Sequence, residues 1–121
     1  MLFKIINIDK HSDQWLTAEV GLNPEDEIIL GHFPGNPVLP GASMIQIMRT
    51  VLQQGLNLKL VLNSAANIKF ISSILPLVNK SLKFDIQTLR TGASLSVETV
   101  LSVDNVKCMK FSGIYQIVLK Q

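Results

Sequence analysis

Three residues between positions 32 and 46 could take part in proton-transfer chemistry at a polarised carbonyl. His32 carries an imidazole, which exchanges protons near neutral pH. Gly41 stands where an apolar helical pattern begins, and the first N–H groups of a helix have no partner within it. These groups carry partial positive charge and can bind an anion or a carbonyl oxygen. Gln46 places a neutral amide on the same helix.

Each of the three residues also has a purely structural interpretation. A lone histidine is more often structural than catalytic, and a Pro-Gly pair before a helix is usually a simple turn. If Gln46 is buried, its amide needs hydrogen-bond partners, which a loop carbonyl or a polar cavity would provide. The local pattern alone leaves these alternatives open.

The chain that leads to the helix is unusually stiff for a loop. Prolines fix the backbone angle φ and remove amide donors, and glycines allow conformations that a β-carbon would block. A stiff loop before a helix holds functional groups in place. The prolines are Pro34, Pro37 and Pro40, and the glycines are Gly31, Gly35 and Gly41.

A helix is expected from residue 42 to about residue 54, because apolar residues recur there at spacings of three and four. Ile47 widens the apolar face, so the helix should be mostly buried, and Gly55 suits its C-terminal cap. The residues that define the apolar face are Met44, Ile45, Met48, Val51 and Leu52.

The residue patterns of the other segments predict strands and turns. Residues 2–9 predict a strand ended by the polar residues 10–13, residues 15–22 its hairpin partner, and residues 23–26 a turn. Further strands are expected at 67–72, 82–88, 95–103 and 106–119, with a turn at 104–105. One buried helix followed by a long antiparallel meander predicts an α+β fold with a curved sheet around the helix.

Composition limits the classes of function. The chain has 121 residues, 47% of them apolar, which predicts one domain over residues 1–121. A net charge of +2 with scattered lysines does not favour nucleic-acid binding. Cys108 is the only cysteine, so we expect a small buried residue and no internal disulfide. We find neither an apolar run long enough for a membrane span nor a signal peptide, which predicts a cytoplasmic protein.

The segment His32-Phe33-Pro34-Gly35-Asn36-Pro37-Val38-Leu39-Pro40-Gly41 closely resembles the signature of the β-hydroxyacyl-acyl carrier protein dehydratases of the FabA/FabZ type. Lys69-Phe70 followed by Ile74-Leu75-Pro76 is similar to that family's second segment. The match there is looser, because Ser73 stands where a proline is usual and Leu77-Val78 where Gly-Asp is usual. The resemblance implies the hotdog fold, a long central helix wrapped by a strongly curved antiparallel sheet.

The resemblance also implies roles for individual residues. His32 would act as the base that removes the α-proton of a 3-hydroxyacyl thioester, and the Gly41 N–H would donate to the thioester carbonyl. Such a donor stabilises the negative charge that builds on the carbonyl oxygen. The residues that we predict to contact the substrate are Phe33, Pro34, Gly35, Val38, Pro40, Ala42 and Ile45.

The chain departs from the family pattern at Gln46, where the family has a glutamate or aspartate that helps the β-hydroxyl to leave. An amide can donate a hydrogen bond to this hydroxyl but cannot transfer a proton to it, and a general acid contributes about 10²–10⁴-fold. Three explanations for the missing acid at position 46 remain open. His32 could return the proton that it takes, a partner subunit could supply a carboxylate, or the protein could bind thioesters without turning them over.

We therefore predict a catalytic set of His32, Gly41 and Gln46 in a dehydratase that forms 2-enoyl thioesters in fatty acid or polyketide-type biosynthesis. The alternatives are a non-catalytic binding subunit and a thioesterase. The thioesterase is disfavoured because residues 42–54 contain no Asp or Glu. No metal or other cofactor is expected beyond the phosphopantetheine arm of an acyl carrier protein.

The resemblance further implies contacts with other molecules. We expect a homodimer, with a larger oligomer or a heterodimer with a second hotdog subunit as alternatives, and no nucleic acid or membrane partner. Lys69 or Lys80 could meet the acidic carrier protein. The candidates for lining an acyl tunnel are Val38, Met44, Ile45 and Met48.

Overall fold

The computed structural model describes residues 1–31, 35, 37–79 and 81–119. These residues form one six-stranded antiparallel sheet and two helices, and neither helix in this part of the chain has the length and apolar character needed to cross a membrane. In chain order the elements are β1 (Phe3–Ser12), β2 (Trp15–Leu22), α1 (Glu27–Leu30), α2 (Gly41–Leu56), β3 (Lys59–Phe70), β4 (Ser81–Thr91), β5 (Ser94–Val103) and β6 (Val106–Val118).

The strand order in the sheet is β1-β2-β4-β5-β6-β3, so β1 and β3 are the two edges. Along β4 the side chains of Leu82, Phe84 and Ile86 are buried and the residues between them are exposed. Along β5, alternate side chains from Leu95 to Val103 are buried in the same way. The α+β architecture predicted from one buried helix and an antiparallel meander is confirmed.

Helix α2 buries one side and exposes the other. The residues buried against the core are Ser43, Met44, Ile47, Met48, Val51 and Leu52. The exposed side includes Ala42, Gln46 and Arg49, which are spaced by four and three residues and therefore lie on one face. The helix was predicted to be mostly buried, but only the side that faces the core is buried.

Helix α2 is longer than predicted, and Gly55 is not its cap. The helix ends at Asn57, which adopts the left-handed conformation with φ 54°. A β-carbon on Gly55 would lie 3.2 Å from the Cγ2 atom of Ile8, so this glycine lets the helix pack closely on β1. Glycine is favoured both at a helix end and where two elements approach closely. The cap was predicted from the first preference, whereas the second explains Gly55.

Strands β1, β3 and β4 run beyond their predicted limits, and β4 extends from the predicted 82–88 to Ser81–Thr91. Strand β1 continues to Ser12, which pairs with Trp15, so the polar residues 10–12 belong to the hairpin and not to its turn. Strand β3 is a twelve-residue strand rather than the short strand predicted at 67–72, and it pairs with β6 along its whole length. Backbone hydrogen bonds to a long partner strand thus extend β3 through a sequence in which apolar and polar residues do not alternate regularly.

The edges β1 and β3 differ in character. Strand β1 carries Lys4, Asp9 and Lys10 within its length, and charges protect an edge strand from pairing with another chain. Strand β3 has no charged residue between Lys59 and Lys69. Its side chains are exposed almost throughout, and the large apolar ones are Val61, Leu62, Ile68 and Phe70. The β3 edge is therefore the one suited to pairing.

Two buried hydroxyl groups, those of Thr99 and Tyr115, have no hydrogen-bond partner among the described residues. Tyr115 is fully buried on the inner face of β6. Burial raises the pKa of its phenol to about 12, and the positive charge of Arg49 offsets part of this rise. Folding therefore favours the neutral phenol.

We predict that the wild type loses stability at alkaline pH and that Tyr115→Phe does not. Because the folded protein holds the phenolic proton to higher pH, the free energy of unfolding of the wild type should fall as pH rises from about 10 to about 12. The variant should escape this fall, which amounts to roughly 2 kcal/mol. At neutral pH it should be at least as stable as the wild type, because the orphan hydroxyl is gone. Urea denaturation between pH 8 and 12 tests this, and parallel curves would contradict it.

Candidate active site at the start of helix α2

A cavity of about 280 Å³ lies between the start of α2 and the segment that follows β3. The backbone N–H of Leu39 donates to the carbonyl of Ile74 at 2.9 Å and ties these two parts of the chain together. Both residues are buried, so this end of the cavity is fixed by the core. The residues that line the cavity are Val38, Leu39, Gly41, Met44, Phe70, Ile71, Ser72 and Ser73.

Gly41 is the first residue of α2, after the extended N-cap residue Pro40, whose side chain makes no capping hydrogen bond. The carbonyl of Pro40 accepts hydrogen bonds from the N–H groups of Ser43 and Met44, at 3.1 and 3.2 Å. The N–H groups of Gly41 and Ala42 come before these first helical donors and have no partner within the helix. They form the positive end of α2, which suits a carbonyl that gains negative charge.

The ring of Phe70 packs directly on Gly41. A β-carbon at position 41 would lie 2.6 Å from the ring atom Cζ and 2.9 Å from Cε1. The sequence suggested that Gly41 leaves room for a ligand oxygen, whereas on the side of the missing β-carbon the room is taken by this ring. A side chain at position 41 would therefore displace the ring of Phe70, which is 52% exposed.

The cavity is mainly apolar. Its polar side chains are the hydroxyls of Ser72 and Ser73, and none of its described lining residues is titratable. The segment is held to the sheet because the N–H of Ile71 donates to the carbonyl of Cys108 at 2.8 Å. Such a cavity can hold an apolar chain and stabilise a polarised carbonyl, but a proton-transfer group has to come from elsewhere.

The predicted site residues fall into three groups. His32, Phe33 and Pro34 lie outside the described residues, as does Lys80. Val38, Gly41 and Met44 line the cavity. The remaining predicted residues do not line it: Gly35 and Ala42 are exposed, Pro40 precedes the helix, Ile45 packs against the core, and Met48 is fully buried.

Gln46 is exposed and does not line the cavity. Its backbone carbonyl accepts a hydrogen bond from the Thr50 hydroxyl at 3.1 Å. It lies five residues after Gly41, which is about 7.5 Å along the helix axis. The interpretation as a buried amide is wrong for the single chain, because Gln46 lies on the exposed face of α2.

Phe70, Ser72 and Ser73 are cavity residues to which the sequence analysis assigned no role in the site. The available signal was the Lys69-Phe70 pair, together with a serine where the resembling family has a proline. Neither feature indicates that Phe70 contacts a glycine 29 positions earlier in the chain. Cys108, in contrast, is a buried free thiol, as predicted.

Three larger grooves, of about 390, 410 and 460 Å³, lie on the face of the sheet that points away from α2. Their walls carry exposed polar side chains such as Asp85, Gln87 and Glu98. They lack a helix start and a buried apolar wall comparable to Leu39 and Met44. We therefore place the candidate site in the smaller cavity, where directed backbone donors meet an apolar surface.

The hotdog fold is confirmed by comparison with solved structures. A chain from the structure of the dehydratase heterocomplex ApeI:P from Xenorhabdus doucetiae is 21% identical, with a TM-score of 0.76 over 98% of this chain and 100% of that chain. An uncharacterized protein from Erwinia carotovora subsp. atroseptica is 24% identical, with a TM-score of 0.67 over 98% and 97%. A hypothetical thioesterase with coenzyme A from Streptococcus pneumoniae is 11% identical, with a TM-score of 0.66 over 98% and 88%.

The family follows from a second comparison. Residues 8–112 match the model of the ApeI-like family, described as ApeI dehydratase. This match spans most of the chain, so the chain belongs to the ApeI-like dehydratase family. No curated protein sequence matches significantly. The predicted hotdog superfamily is confirmed, and the particular FabA/FabZ type stays a prediction.

We predict that the cost of Gly41→Ala depends on Phe70. Alone, the substitution should lower the free energy of unfolding by about 1–3 kcal/mol, because the new methyl group overlaps the ring. In a Phe70→Ala background the same change should be neutral or stabilising, since alanine favours a helix over glycine. Urea denaturation of the four proteins of this double-mutant cycle gives the coupling.

Gly21→Ala is the matched control, because a β-carbon there would meet Ile6 at an ordinary 3.5 Å. This control should change stability little. An equal cost of Gly41→Ala in both backgrounds would show that the ring is not what excludes a side chain at position 41.

Proposed function

We propose that the chain is a hotdog dehydratase subunit that acts on 3-hydroxyacyl thioesters and converts them to 2-enoyl thioesters. The observation that carries this proposal is the apolar cavity into which the start of α2 opens, in a chain of the ApeI-like dehydratase family. The signature segment from His32 to Gly41 supports it further, because its last residue is the one that begins the helix.

The first step of the proposed reaction is loss of the α-proton. His32 is the proposed base, and the electrons of the broken C–H bond pass toward the thioester carbonyl. The charge that develops on its oxygen is stabilised by the Gly41 N–H at the positive end of α2. The buried apolar side chains of Leu39 and Met44 line the cavity and lower the local dielectric, which strengthens this hydrogen bond.

The second step is loss of the β-hydroxyl. The enolate electrons form the new C–C double bond, the C–O bond breaks, and the hydroxyl leaves with a proton as water. Gln46 can orient this hydroxyl by donating a hydrogen bond, but its amide cannot supply the proton. We propose that His32 returns the proton that it removed, which lets the reaction proceed more slowly than it would with a dedicated acid.

A second subunit completes the site in this proposal. Gln46 lies on the exposed face of α2, and this face runs beside β3, since the Gln53 side chain accepts a hydrogen bond from the Leu60 N–H at 2.8 Å. The β3 edge is uncharged between its ends and exposes apolar side chains. Pairing through this edge would bring Gln46 of one subunit toward the cavity of the other.

The partner is either a second copy or a different hotdog subunit. The structure from Xenorhabdus doucetiae is a heterocomplex, which supports the second possibility for this chain. In a heterodimer, the partner's helix could present a carboxylate to His32. In the alternative, the chain is a non-catalytic partner subunit, and His32→Ala would leave the activity of the complex intact.

An acyl carrier protein is the proposed carrier of the substrate. Lys69 and Lys110 lie directly opposite each other on β3 and β6, next to the cavity residue Phe70. Like charges in this arrangement repel. The one ion pair among the described residues joins the amino terminus of Met1 to Asp26, so neither lysine is neutralised within the described part of the chain. An acidic protein would relieve this repulsion.

The function is tested by measuring dehydration of 3-hydroxyacyl thioesters, and Gln46→Glu should raise the rate. The new carboxyl can protonate the leaving hydroxyl, a contribution of about 10²–10⁴-fold where the acid is limiting. Gln54→Glu, on an exposed position two turns further along α2, is the matched control and should leave the rate unchanged. His32→Ala should abolish turnover.

An undetectable rate for the wild type and for Gln46→Glu, alone and with a second hotdog subunit encoded nearby, would reject the proposed reaction. Equal rates for the wild type and Gln46→Glu would instead show that proton supply at position 46 is not limiting.

We predict that Lys110→Glu weakens the use of carrier-bound substrate only. The KM for 3-hydroxyacyl carrier protein should rise several-fold and lose part of its salt dependence, because the attraction to an acidic partner acts through screened charges. Turnover of a small N-acetylcysteamine thioester should not change. Lys4→Glu, on the opposite edge of the sheet, is the control. An equal effect of both variants would reject a local docking site.

A further inference from the structure

The chain segment that follows β3 is anchored on both sides of its two serines. Before them, the N–H of Ile71 donates to a backbone carbonyl of β6 at 2.8 Å. After them, the carbonyl of Ile74 accepts from the N–H of Leu39 at 2.9 Å, and Ile74 is fully buried. Backbone hydrogen bonds on both sides therefore hold Ser72 and Ser73 at a defined place on the wall of the cavity.

The hydroxyls of these two serines are the polar side-chain groups of the cavity, and they differ in burial. Ser72 is half-buried, whereas Ser73 is exposed. In the described part of the chain, neither hydroxyl has a hydrogen-bond partner. A hydrogen bond at the half-buried position competes less with water and contributes more to binding. Ser72 is thus the better placed of the two to recognise a polar group of a ligand.

The two oxygen atoms of a 3-hydroxyacyl group lie close together. Only the α-carbon separates the carbonyl carbon from the carbon that bears the β-hydroxyl. When the carbonyl accepts from the Gly41 N–H, the β-hydroxyl therefore lies in or beside the same cavity of about 280 Å³. Ser72 lines this cavity, whereas Gln46 of the same chain does not. Among the described side chains of one chain, a cavity serine is the group that can hydrogen-bond the β-hydroxyl.

We propose that Ser72 is a specificity-determining residue that hydrogen-bonds the β-hydroxyl and selects 3-hydroxyacyl thioesters over acyl thioesters that lack this group. The inference rests on the proposed function in placing the thioester carbonyl at the Gly41 N–H. A hydroxyl donates one hydrogen bond and accepts two, so contacts with Ser72 and with Gln46 of the partner subunit are compatible. Ser72 transfers no proton in this proposal, and its effect is on binding of the hydroxylated chain.

The experiment compares two amide analogues of pantetheine thioesters by isothermal titration calorimetry. In both, an N–H group replaces the thioester sulfur, which keeps the carbonyl acceptor and makes the α-proton too weakly acidic for turnover. One analogue carries a 3-hydroxyoctanoyl chain and the other an octanoyl chain. The ratio of their affinities measures recognition of the β-hydroxyl, because contacts with the shared chain and with pantetheine cancel.

Ser72→Ala should lower the ratio of hydroxylated to unsubstituted affinity about threefold to tenfold, which is the contribution of one hydrogen bond. Ser72→Cys should lower it by a similar factor, since a thiol is only a weak hydrogen-bonding group. Because the cysteine keeps a side chain of similar shape at the position, it tests the proposal even if Ser72→Ala unfolds.

Ser112→Ala is the matched control. Ser112 is also half-buried, but it lies on β6 and lines a groove on the other face of the sheet. Its affinity ratio should equal that of the wild type.

An unchanged ratio in Ser72→Ala and Ser72→Cys would overturn the inference, as would failure of the wild type to bind either analogue. Equal weakening of both analogues leaves the ratio unchanged and would show that Ser72 contacts a part that the two share. The reaction is tested separately with 3-hydroxyoctanoyl-N-acetylcysteamine. Turnover with an unchanged ratio rejects the role of Ser72 alone. A lowered ratio without turnover by the wild type rejects the proposed dehydration and leaves the role of Ser72 in place.

Discussion

The site depends on the contact that holds the start of α2 against the end of β3. Gly41 has no β-carbon, and the ring of Phe70 takes that space. The hydrogen bond from Leu39 to Ile74 secures the same junction from the other side. The Leu39–Ile74 hydrogen bond joins backbone to backbone two residues before the helix and so constrains the path of the chain into its first free N–H groups. A donor fixed in advance stabilises developing charge without reorganisation, which is the physical basis of the proposed catalysis.

A second constraint is that the inner face of the sheet is covered by the helix, whereas the β3 edge of the sheet is exposed. The inner face is filled by α2 and by the alternating apolar residues of β4 and β5, whereas the edge at β3 is exposed and carries no charge between its ends. Gln46 lies on the exposed side of the helix that runs along this edge. Gln46, which the proposed reaction places near the substrate's hydroxyl, therefore does not line the cavity of its own chain, and for this reason the proposed site uses two subunits.

Because residue 46 is a neutral amide, charge stabilisation and proton delivery in the proposed reaction must come from different groups. Charge stabilisation at the carbonyl needs only a backbone N–H, and the start of α2 provides it in a single chain. Proton delivery to the leaving hydroxyl needs a group that changes its protonation state, which an amide does not do. With an amide at position 46, proton delivery in the proposed reaction falls to His32 or to a carboxylate of a partner subunit.

The sequence by itself determined the elements whose residues repeat regularly. The alternation in β4, β5 and β6 and the three- and four-residue spacing in α2 predicted them to within a few residues, because burial of one face imposes these periods. It also marked Gly41 as the start of the helix. The tertiary structure alone decided the length of β3, whose apolar and polar residues do not alternate regularly and which forms by pairing with β6. It also decided the role of Gly55 against Ile8 and the contact of Phe70 with Gly41. A glycine shows only that a β-carbon is excluded, and the residue that excludes it is known only when distant parts of the chain are brought together.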